Sequence, residues 1–260
     1  MNKRIVTYLL AVGFLTLTPP PLSLADTKDT TPQVTRKSGG LDPTRKKFFA
    51  RTEYRELEND GKLSLLDVLY EFPLGKKWFL RNSTSLKRTS SPGLQSKDGL
   101  GDLTTRLTYL ALSTEANNRL LVGLEAVWDT ATASALGGNR NTLSPVITGY
   151  VRFPELKVVS FPSIQFVDTY SRESGAADTK TTTIKPSIVK IHADGYYTFF
   201  DPAFIWDHEK NDQSTGTFDV EYGRFVNDKM YYVRPGTTLW GNDTPFSFKW
   251  NLEVGIRIFL

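Results

Sequence analysis

The last eleven residues, 250–260, constrain the fold of this chain more tightly than any other segment. Every second residue is apolar: Trp250, Leu252, Val254, Ile256, Ile258 and Leu260. The ionic side chains Glu253 and Arg257 share the opposite face with Asn251, Gly255 and Phe259. Successive side chains of a strand point to opposite faces, so the pattern is that of a β-strand. Strands in globular proteins are usually about 5–6 residues long. An alternation sustained over this length matches a tilted membrane-crossing strand of about 9–11 residues. Ile256, Ile258, Phe259 and Leu260 then form the expected assembly signal, read by the barrel-assembly machinery. Leu260 closes the chain where such strands commonly end in an aromatic residue.

The same period recurs upstream. In 119–129 the outward set is Leu120, Val122, Leu124, Ala126 and Trp128, opposite Arg119 and Glu125. In 102–112, Leu103, Leu107, Tyr109 and Ala111 oppose Thr104, Arg106 and Thr108. Segments 78–87 and 217–225 repeat it, and weaker copies lie at 48–57, 63–72, 142–153, 157–169, 182–192, 196–207 and 229–236. With 250–260 these make twelve expected strands, an even number. Connections alternate between short turns and longer polar loops at 88–101, 130–141, 170–181, 208–216 and 237–245, with a shorter one at 58–62. The fold class expected is all-β: a transmembrane antiparallel up-and-down β-barrel of about twelve strands over 47–260, with both ends of the chain periplasmic.

The N-terminus sets the compartment. Lys3 and Arg4 precede an apolar run over 5–18, three prolines follow, and Ser23-Leu24-Ala25 has the small-x-small form of a cleavage site. Residues 1–25 are expected to be a cleaved signal peptide, with no lipoprotein cysteine after it. Its removal takes two of the 32 basic residues and none of the 28 acidic ones. The basic excess is thus largely the export signal, and it argues for no nucleic-acid partner. Residues 26–46 are polar and carry Pro and Gly, and are expected to form a flexible periplasmic tail, with a plug in the barrel lumen as the alternative. The expected location is the outer membrane of a Gram-negative bacterium.

Composition now finds its place. Aromatic residues make up 12% of the chain. Trp78, Tyr109, Trp128, Phe153, Tyr196, Trp206, Tyr222, Tyr232 and Trp250 fall near expected strand ends, where interfacial girdles in contact with outer-membrane lipid account for them. The inward face is expected to carry Arg51, Glu53, Arg55, Arg81, Arg106, Glu125, Arg152, Asp219, Glu221, Glu253 and Arg257. Closure brings the first strand beside the last, which offers Arg51, Glu53 and Arg55 to Glu253 and Arg257. Two readings of this set stay open: ion pairs that fill a narrow barrel, or a polar path that selects a small-molecule solute.

Enzymatic signals are thin. The chain has no Cys and only two His. His192 lies beside a short turn, and His208 opens a loop among Asp207, Glu209 and Asp212. No GxSxG is present, so no catalytic residue, metal site or cofactor is expected. An outer-membrane lipid hydrolase is the minor alternative.

Longer motifs carry a resemblance. Gly99-Leu100-Gly101-Asp102 before a strand, Ala135-Leu136-Gly137-Gly138 and Leu143-Ser144-Pro145 after a long loop, and Val233-Arg234-Pro235 ahead of 250–260 follow one another in order. In this the chain resembles the MetA-pathway of phenol degradation family over about 48–260. It departs from that pattern at Asp129-Thr130-Ala131-Thr132 and at the terminal Leu260. The resemblance implies an outer-membrane barrel related to the fatty-acid and aromatic-hydrocarbon uptake channels, with passage of hydrophobic or aromatic compounds as its role. It implies no catalytic residues.

Overall fold

The structure, a computed structural model, describes residues 45–114, 117–241, 244 and 246–260. The expected signal segment, and all of the expected tail but Arg45 and Lys46, lie outside the described residues.

Alternating polar and apolar residues build thirteen strands: β1 (Lys47–Glu56), β2 (Lys62–Pro73), β3 (Trp78–Ser90), β4 (Lys97–Leu100), β5 (Leu103–Ser113), β6 (Arg119–Trp128), β7 (Arg140–Phe153), β8 (Val158–Arg172), β9 (Lys180–Ile191), β10 (Tyr196–Asp207), β11 (Gln213–Val226), β12 (Lys229–Trp240) and β13 (Trp250–Phe259). Twelve of them pair antiparallel in sequence order, and β1 against β13 closes the ring. β4 is a four-residue strand within the expected loop 88–101 that continues β5 along the same edge of β3, set off from it by a one-residue register shift at Gly101-Asp102, so the two fill one place in the ring. Closure leaves no open sheet edge, so the ring satisfies its own backbone hydrogen bonds.

Some boundaries differ from the sequence expectation. β11 begins at Gln213 and β12 runs to Trp240, beyond the apolar alternation. Backbone pairing needs no apolar side chain, and Thr215, Thr217, Thr237 and Thr238 continue the ladder. In β5 the pairing shifts between Leu110 and Leu112. Ala111, the extra residue, is exposed as expected but has no partner on β6, and Leu112 takes the place opposite Leu120.

The outer face is apolar through its central band. Leu66, Val68, Leu86, Leu124, Ile147, Ile164, Ile188, Phe200, Val233 and Val254 are exposed there. Charged outward residues sit only near strand ends among the described residues, as with Glu56, Lys190, Arg224 and Lys229. Of the expected girdle, Trp78 and Tyr109 pair at 4.7 Å near the short-turn end, and Tyr196 and Tyr222 stack at 5.8 Å at the same level. Trp128, Trp206 and Trp250 lie near the long-loop end, where Trp250 packs on Tyr54 at 5.1 Å. Tyr232 is a correction: it points into the lumen and is buried, and its hydroxyl donates a hydrogen bond to Glu253 there. Its place in the alternation, opposite Gly255, requires the inward direction.

The lumen is filled at the short-turn end by Tyr150, Val159, Val189, Ile191, Tyr197, Met230, Tyr232 and Phe259. Two glycines make room for this cluster. Tyr197 lies over Gly223 and Tyr232 over Gly255, each its direct cross-strand partner. A Cβ at Gly255 would sit 2.3 Å from the Tyr232 hydroxyl and 2.5 Å from its Cζ. Gly255→Val therefore expels Tyr232 from Glu253, and we expect it to destabilise the barrel by about 1–3 kcal/mol. Thermal unfolding measured by the gel shift of heat-denatured barrel checks this; an unchanged midpoint contradicts the packing described.

Candidate functional site

Glu53 of β1 and Glu253 of β13 face each other directly across the closing seam. Two buried carboxylates in register repel unless cations separate them. Arg51 does so for Glu253 at 2.8 Å, and its Nε reaches Asp67 at 3.1 Å; Arg55 holds Glu53 at 2.6 Å. Arg257, expected at the same seam, instead reaches two strands across to Glu221, donating through both terminal nitrogens at 2.7 Å each. Glu221 has no exposed surface and also accepts from the Tyr197 hydroxyl at 2.7 Å. Arg234 joins Asp201 and Asp219, the latter at 3.3 Å, and Asn251 links Asp219 to Glu53.

A second group begins on the same β1 and β2, nearer the short-turn end, and runs on to β3, β5, β6 and β8. Glu71 takes Lys47 at 2.7 Å and Arg81 at 2.6 Å. Arg106 pairs with Glu125 at 2.7 Å, and Gln165 donates to the other oxygen of Glu125 at 3.0 Å. Of the expected lumenal residues, Arg51, Glu53, Arg55, Arg81, Arg106, Glu125, Asp219, Glu221, Glu253 and Arg257 all enter these two groups. Arg152 faces inward at the short-turn end of β7 but forms no ion pair among the described residues.

Sequence reasoning missed Lys47, Asp67, Glu71, Lys185, Asp201 and Arg234 as lumenal charges. Register supplies the signal that locates them: each is the cross-strand neighbour of an inward residue, as Asp67 is of Arg51, Glu71 of Lys47 and Asp201 of Asp219.

Members of both groups line a cavity of about 410 Å³. One wall carries Lys47, Glu71, Arg81 and Arg106, with Phe49 and Phe259 beside Lys47; across the ring stand Phe161, Val189 and Phe199 of β8, β9 and β10. It runs beside the apolar cluster in the short-turn half of the barrel.

At the long-loop end, the segment between β6 and β7 folds back onto β4. Asp102 accepts backbone N–H bonds from Thr130, Ala131 and Gly138, and Lys87 donates to the Leu136 carbonyl at 2.9 Å. Leu136 is only 2% exposed. The motifs Gly99-Leu100-Gly101-Asp102 and Ala135-Leu136-Gly137-Gly138 thus contact each other. Asp102→Ala leaves three part-exposed donors without their acceptor, each bond worth about 0.5–1.5 kcal/mol. We expect faster amide exchange across 130–138 with the barrel strands unchanged; unchanged exchange in that segment counts against the latch. Nearby, Lys249 clasps Asp60, and their hydrogen bond holds the Asp60 carboxyl below the ordinary carboxylate range. That clasp persists until the pH falls through this lowered value.

The two histidines form side-chain contacts on the outer surface. His208 lies between Asp212 and the Thr182 hydroxyl, 2.8 Å from the latter, and His192 contacts Thr198 at 2.9 Å. No cluster of His, Cys, Asp and Glu with metal-ligand composition occurs among the described residues.

No family model matches the chain, and no curated protein matches it in sequence. The fold has solved counterparts. The COG4313 outer membrane channel from Pseudomonas putida F1 matches with a TM-score of 0.65 at 17% identity, covering 84% of this chain and 96% of that one. The KdgM porin matches at 0.52 with 12% identity, over 82% and 99%. The translocator domain of the autotransporter NalP from Neisseria meningitidis matches at 0.51 with 13% identity, over 87% and 93%. At these identities the likeness is one of fold: the chain is a closed antiparallel β-barrel of the outer-membrane type.

Proposed function

We propose that the chain is an outer-membrane channel for passive passage of small solutes, hydrophobic or aromatic in character. The observation that carries this reading is the cavity of about 410 Å³ inside a ring whose outer band is apolar. An exposed apolar surface of this extent is matched to lipid, and a polar interior to solute. The fold shared with a channel and a porin supports the same reading. So does the resemblance to the MetA-pathway of phenol degradation family. Lipid meets the two aromatic levels, and the C-terminal strand with Ile256, Ile258, Phe259 and Leu260 is the segment offered to the assembly machinery. No cofactor and no catalysis belong to this reading.

Osmotic swelling of liposomes carrying the barrel tests it, with arabinose and with phenyl glucoside, an aromatic solute too polar to cross lipid unaided. Swelling faster than in protein-free liposomes is expected. No difference with either solute sinks the reading.

A closed-lumen barrel with a structural or surface role is the second reading. The paired charges and the apolar cluster at the short-turn end favour it.

A further inference from the structure

The charges that line the cavity are not balanced. Five are cationic (Lys47, Arg81, Arg106, Lys185, Arg257) and three are carboxylates (Glu71, Asp201, Glu221). Arg257 is neutralised by its two bonds to Glu221, and Lys185 lies 3.4 Å from Asp201. The excess therefore falls on the wall of β1, β3 and β5. There Lys47 and Arg81 share the single carboxylate Glu71. Glu125 accounts for Arg106 alone.

Arg81 donates to Glu71 through Nε, which leaves both terminal nitrogens without an acceptor among the described residues. Its cross-strand partner is Arg106. Like charges in register destabilise a sheet, and an anion between them relieves the repulsion. The rings of Phe161 on β8 and Phe199 on β10 face this wall, and those of Phe49 and Phe259 lie beside Lys47 on β1 and β13. Phe161 and Phe199 meet edge to face at 6.3 Å, which presents a preformed apolar surface. A pocket with one cationic wall and one aromatic wall fits a solute that carries a negative group on an apolar body.

We propose that this cavity is a binding site for small aromatic monoanions, sulfonates or carboxylates, with the terminal nitrogens of Arg81 as the anchor of the anionic group. The proposal deepens the channel reading above and rests on it for its meaning as a transport step. The site takes the anion from solution, the arginine pair holds the charged group, and the phenyl rings cover the ring of the solute. A neutral ring lacks the charged anchor, and a cation of equal size meets repulsion.

Benzenesulfonate is a suitable probe because it keeps its charge at every working pH. Titration calorimetry on the intact barrel in detergent measures binding directly, with methanesulfonate and benzyltrimethylammonium as comparisons. Saturable binding of benzenesulfonate is expected, with weaker binding of methanesulfonate and none of the cation. Loss of one charge-assisted bond in Arg81→Gln is expected to weaken binding about tenfold. Arg81→Lys is expected to restore part of it. The gel shift of the heat-denatured barrel verifies that each variant folds. Absent binding, equal binding of the cation, or unchanged affinity in folded Arg81→Gln overturns the proposal. Binding without any flux through liposomes leaves the anion site standing and overturns the channel reading instead.

Discussion

Replacing Glu221 by Ala is expected to lower the stability of the barrel by about 3–5 kcal/mol, the cost of stranding buried charge. No other carboxylate among the described residues carries so many partners with no exposed surface. Arg257 donates twice to it, Tyr197 once, and Arg234 stands 3.8 Å away. Without the carboxylate, Arg257 retains a charge beside Tyr232 and Phe49 with no acid to receive it. The four groups lie on β10, β11, β12 and β13, so the loss falls on a third of the ring's strands. Urea unfolding followed by tryptophan fluorescence in lipid vesicles measures the change. Glu221→Gln keeps one acceptor oxygen and the side chain's volume, and should cost less. A loss below about 1 kcal/mol, the size of an exposed ion pair, contradicts the part assigned to this network.

The second large effect is expected from the apolar cluster. Met230 has no exposed surface and Phe259 only 4%. Phe259 lines the cavity as well as packing in the cluster, so it forms the border between filled and open lumen. Met230→Ala and Phe259→Ala should each cost about 2–5 kcal/mol through lost contacts and the void left behind. Because the two share one cluster, their costs are not expected to add. The double variant joins the cavity to the space vacated by both side chains. If the lumen is a conduit narrowed at this level, the double variant carries more current than the parent. If current is unchanged, the cluster is not the narrowing.

Much of this fold was legible in the sequence, for a reason particular to barrels. Period-two alternation assigns a face to each residue without any tertiary knowledge, and in 250–260 and 119–129 one face is apolar throughout. Those strands, their direction and their inward charges follow at once. Glu71 was hidden because β2 is apolar on both faces: Leu65 and Leu69 point inward, Leu66 and Val68 outward. Asp201 was hidden in the same way by Tyr197 and Phe199 on one side and Phe200 and Phe204 on the other. Partner choice was less legible still. Arg257 prefers Glu221 over the seam because inward side chains of alternate strands meet across the curved interior, a relation that sequence spacing does not contain. Asp102 binds amides 28 to 36 residues away, and no local pattern announces that contact.

Membrane passage through the lumen is tested most directly by single-channel recording of the purified barrel in planar lipid bilayers bathed in potassium chloride. Discrete current steps above those of protein-free bilayers are expected for the parent chain, and larger steps for Met230→Ala/Phe259→Ala. Silence from both, with folding verified by the gel shift of the heat-denatured barrel, contradicts the channel and leaves the closed-lumen barrel in its place.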